Sequence, residues 1–147
     1  MTQHQLSQED RDFRVAFEAC GVAPSQFGHE AHVRLAYVYL AESNVDAAVR
    51  MMRESLLRFI DHHGIPPAKF HETLTRAWVL AVRHFMNKAP TLSASDFIAR
   101  NPELLDSKIM LTHYSAGVLF SPDARASFVE PDRDPIPQQA AADHEPS

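Results

Sequence analysis

Four histidines and three other polar side chains carry the chemistry this sequence could perform. His29 and His32 stand three apart in QFGHEAHVRLAYVYL, at the head of an otherwise apolar run. His63 closes LLRFIDHHG, and His71 and Glu72 open HETLTRAWVL. Neutral imidazole is a ligand for zinc, iron, copper and nickel. If these rings converge they form a metal centre, His29, His32, His71 and His63 being its ligands. Glu72 beside His71 is then a general base acting on a metal-bound water, or a further ligand. Its plainer reading is an acid in a first helical turn, complementing the helix dipole. Tyr114 and Arg125, in HYSAG and SPDAR, are candidates to orient a small, possibly anionic substrate.

The elements that must position these residues are capped amphipathic helices. Ser7 precedes QEDRDFRVAFEAC, with acids in the first turn and Gly21 as its stop. A second helix runs from about Gly28 to Glu42. Asn44 caps a third, ending at Gly64. The two prolines of IPPAKF exclude a helix interior, so a fourth begins near Ala68 and runs to the approach of Pro90. Ser93 or Ser95 caps a shorter helix, Pro102 opens another through ELLDSKIMLTHY, and SPDARASF forms a last turn. The expectation is an all-α, single-domain bundle of about four to six helices over residues 1–129. The segment 130–147, rich in proline and acid and without apolar periodicity, reads as an extended or disordered tail.

Turning these helices at about 100° per residue gives each histidine a direction. Glu30 and Arg34 mark the wet side of the second helix, opposite His32, Ala36, Tyr39 and, at the edge, His29. On the third, His63 joins Val45, Val49, Met52 and Leu56 on the dry side, while His62 lies on the flank as a cation in the last turn. On the fourth, His71 shares a face with Trp78, Val82 and Phe85. Short loops make consecutive helices antiparallel. The starts of the second and fourth helices and the end of the third therefore meet at one end of the bundle, and His113 with Tyr114 joins them if the next helix turns back.

Composition limits the alternatives. The chain has 147 residues, 45% hydrophobic and 22% charged, with four glycines, which suits one soluble helical domain. A formal charge of -5 gives no basic footprint for nucleic acid or an acidic membrane surface. The opening MTQHQLSQEDRDF is not a signal peptide and no run suffices to span a bilayer, so a cytoplasmic protein is expected. The single cysteine, Cys20, falls at helical spacing after Phe13 and Phe17 and reads as core. Met51, Met52, Met86 and Met110 read as core filling rather than as soft copper ligands.

FGHEAHVRLAYVYL, FHETLTRAW and HYSAGVLFSPDARASFVEPDRDPIP together resemble a group of small bacterial helical proteins of unassigned function, over Phe27 to Pro137. The resemblance implies no activity, cofactor or site residue. The arrangement is also similar, in architecture alone, to the DinB-type bundles in which histidines bind a metal.

The expectation is a small metal-dependent enzyme with a divalent transition metal, zinc, iron or copper, in a polyhistidine site at one end of a bundle. Its partner is a small-molecule substrate. The rival is a noncatalytic metal-binding or helical interaction module whose histidines are structural. Haem, held by inward histidines as axial ligands, is a third reading.

Overall fold

The computed structural model describes residues 4–137. Five principal helices are α1 (Gln8–Glu18), α2 (His29–Glu42), α3 (Val45–His62), α4 (Glu72–Met86) and α5 (Ala94–Arg100). Among the described residues there is no strand. Two short helices follow, α6 (Ala116–Leu119) and α7 (Pro122–Ala126). The all-α bundle expected from the sequence is what the chain forms.

The caps explain the boundaries. The Ser7 hydroxyl accepts from the Asp10 amide while the Asp10 carboxylate accepts from the Ser7 amide, a reciprocal box that satisfies two otherwise orphaned donors. Asn44 and Ser93 cap α3 and α5 one way only, their side chains accepting from the Ala47 and Asp96 amides. The fourth helix starts later than its prolines suggested. Pro67–Lys69 form a 3-10 turn, Phe70 is extended, and His71 itself is the N-cap of α4. The helix expected from Pro102 to Tyr114 is instead two 3-10 turns, Pro102–Leu105 and Ser107–Thr112. They part at Asp106, whose side chain accepts from the Lys108 amide and so competes with helical pairing.

α1 and α3 end in the same way. Gly21 and Cys20 donate to the carbonyls of Ala16 and Phe17, and Ile65 and Gly64 donate to those of Ile60 and Asp61, the two bonds of a Schellman motif in each case. The motif needs one left-handed residue. At α3 it is Gly64, φ 69°, but at α1 it is Cys20, φ 61°. The expected core position of Cys20 is therefore corrected: it is half-buried at a helix end, its thiol 3.8 Å from the Arg58 carbonyl oxygen.

α2 is the centre of the fold. It packs against α1, α3, α4 and α5, and every residue from Leu35 to Leu40 is buried. Around its start Phe17, Phe27 and Phe59 stack with ring centroids 4.5–5.4 Å apart, a separation that favours offset and tilted aromatic pairs. Met52, Met86 and Met110 are buried as expected, with Met51 partly so. Asp10, almost wholly buried, accepts from the Ala94 amide at 2.9 Å and pairs with Arg34 at 3.3 Å, joining α1, α2 and the start of α5. Arg34, placed on the wet side by the helical wheel, thus turns toward α1, where its guanidinium lies 4.6 Å above the Phe13 ring.

The packed part of the chain extends past residue 129. Ile136 is buried, the Asp132 carboxylate accepts from the Ser115 amide at 2.8 Å, and the Arg133 amide donates to the His113 carbonyl at 2.9 Å. Residues 130–137 have no regular structure but close a loop on residues 113–115. The rest of the expected tail, 138–147, lies outside the described residues.

Candidate functional site

His71 is the best defined of the sequence-derived candidates. Its extended backbone, φ -133° and ψ 105°, stands before the first turn of α4, which lets Nδ1 accept from the Leu74 amide at 3.1 Å. Nε2 must then carry the proton, and it donates to the Leu119 carbonyl oxygen at 2.7 Å. Both nitrogens are used, and the neutral tautomer is fixed by the two bonds. Burial lowers the pKa of this ring, opposed by the bond to Leu119 and reinforced by the nearby Arg125 guanidinium.

The other three histidines meet different surroundings. His29 Nε2 is bonded to the Leu104 carbonyl at 2.8 Å, and its ring stands edge-on to Trp78 with centroids 4.5 Å apart. His32 lies beside Phe27, with centroids 6.1 Å apart, and its Nε2 is sealed from solvent with no hydrogen-bond partner. Burial, reinforced by the neighbouring His29, pushes its pKa down to about 4. His63 packs on Phe59 with centroids 4.6 Å apart and has a sealed, unpartnered Nε2 of its own. Inward direction was thus legible for these rings, but convergence was not. Among the described residues no group of three or more His, Cys, Asp or Glu side chains is arranged to hold a metal ion. The common coordination sphere expected of His29, His32 and His71 is not formed, because two of those rings are bonded to backbone carbonyls on separate elements.

The candidate catalytic groups are likewise occupied. Glu72 receives both Nε and Nη2 of Arg53, with the Nε bond at 2.9 Å, in a forked pair whose carboxylate is largely buried. Arg53 in turn has its pKa raised by that bond, with burial opposing. The Tyr114 hydroxyl donates to the Val129 carbonyl at 2.6 Å, and burial, with the charges of Glu130 and Asp132, pushes its pKa up to about 12. Arg125 donates to the Ala68 carbonyl at 3.3 Å. His113 Nδ1 is bonded to the Asp134 carbonyl at 2.6 Å.

These bonds share a purpose visible only in three dimensions. Thr73, in the first turn of α4, donates to the Ser127 carbonyl at 3.0 Å and accepts from the Val129 amide at 3.1 Å. With His71 on Leu119 and Arg125 on Ala68, it fastens the strap of residues 116–129 across the start of α4. Thr75 instead bonds the His71 carbonyl one turn back, the usual habit of a helical threonine. Sequence reasoning missed the structural centres Asp10 and Asp132. The first could have been found from the Ser7–Asp10 spacing, whereas the second has no local signal.

An open cleft of about 420 Å³ lies between α1 and the start of α2, lined by Phe13, Val22, Gln26, Gly28, Glu30 and Arg34 among others. Gly28 provides no side-chain cap there, and Arg34 on the cleft wall is already paired with Asp10. Among the described residues no helix is long and apolar enough to cross a membrane. No family model matches the chain, and no curated protein or solved structure matches it.

Proposed function

We propose that the chain is a noncatalytic helical interaction module whose histidines and carboxylates are structural. The observation that carries this reading is the double use of His71: one nitrogen caps α4 and the other holds the strap at Leu119. A ligand role would need Nδ1 to give up the cap or Nε2 to give up its proton and its bond. Glu72 supports the same reading. A base needs a carboxylate free to take a proton, and this one is forked onto Arg53. In a module of this kind the bundle presents surface, and its buried polar groups fix one arrangement of helices and strap.

A second reading rests on a separate observation. His32 and His63 each keep a sealed Nε2 without a partner, and buried polar atoms in folded proteins nearly always have one. A divalent transition metal or a small hydrogen-bonding molecule taken up at either ring would supply it.

Metal analysis of protein purified without chelator or histidine tag, combined with melting temperatures, separates the two. The structural reading expects substoichiometric metal in the wild type, and a lower melting temperature in His71→Ala and Glu72→Gln. Stoichiometric metal that is lost in His71→Ala rejects it. Stoichiometric metal lost in His32→Ala or His63→Ala, but kept in His71→Ala, establishes the second reading.

A further inference from the structure

We draw no further inference here: the strongest candidate, the open cleft between α1 and the uncapped start of α2, carries nothing because its Arg34 is already paired with Asp10 and nothing in the structure shows what covers it.

Discussion

The Nε2–H of His71 meets the carbonyl oxygen of Leu119 at 2.7 Å across 48 residues of chain, while the same ring caps its own helix through Nδ1. One side chain therefore sets both where α4 begins and where the strap lies. Removing it leaves an uncapped helix and a buried carbonyl without a donor. His71→Ala should cost about 2–3 kcal/mol in urea denaturation, of which about 1 kcal/mol is the cap. His71→Asn, which can still cap, should recover about that part. Equal losses in the two variants would show that Nδ1 contributes nothing.

Acid should weaken the fold through His32. In the unfolded chain an imidazole takes up a proton near its ordinary pKa of 6.5, whereas His32 in the fold does so only near 4. Below about pH 6.5 the unfolded state binds the proton first, so stability is full above that value. It is lost as pH falls toward 4, with a limiting slope of about 1.4 kcal/mol per pH unit. His71 is shifted in the same direction and adds to the loss. Urea titrations from pH 8 to 4.5 test this, and His32→Leu should flatten the profile. An unchanged slope in that variant would remove His32 from the account.

The two Schellman turns predict opposite results from reciprocal substitutions. Cys20→Gly relieves a left-handed side-chain residue and should stabilise by about 0.5–1 kcal/mol, part of the gain being offset by the entropy that glycine adds to the unfolded chain. Gly64→Ala should destabilise by about 1 kcal/mol. A Cβ at Gly64 meets nothing within 4 Å, so that cost comes from the backbone alone. Thermal melts of both variants under reducing conditions give the comparison; a destabilised Cys20→Gly would mean the thiol contact with Arg58 outweighs the strain.

Residues beyond 129 should matter to stability. Ile136 is 4% exposed, and Ile136→Ala should cost about 2–4 kcal/mol, the range for removing a buried aliphatic side chain. Ending the chain at Val129 should lower the melting temperature at least as much, since it also removes Asp132 from the Ser115 amide. A melting temperature equal to that of the full chain would show the closure of the strap to be incidental.

How far the sequence revealed this molecule depends on the range of the interactions involved. The four long helices were legible because their caps and apolar periodicity are local, as at Ser7 and Asn44. The inward direction of His32 followed from the same periodicity, whereas His71 is buried from the extended N-cap position before α4. What the rings of His29 and His71 would meet did not follow, because their acceptors are the backbone carbonyls of Leu104 and Leu119, in a 3-10 turn and a four-residue helix that no repeat announces. The capping role of His71 was hidden by residue type, since serine, threonine, aspartate and asparagine are the usual signals. Arg34 misled in another way: a wheel assigns a charge to solvent, and here Asp10 was waiting on the neighbouring helix.

The strap has a consequence for synthesis. Its bonds to the start of α4 span 48 to 57 residues, and the strap leaves the ribosome after every helix it fastens. A nascent chain that has released α1 to α5 holds an α4 whose His71 and Thr73 have no carbonyl to meet. During that interval the start of α4 stays open to water, and the strap covers it once it has emerged.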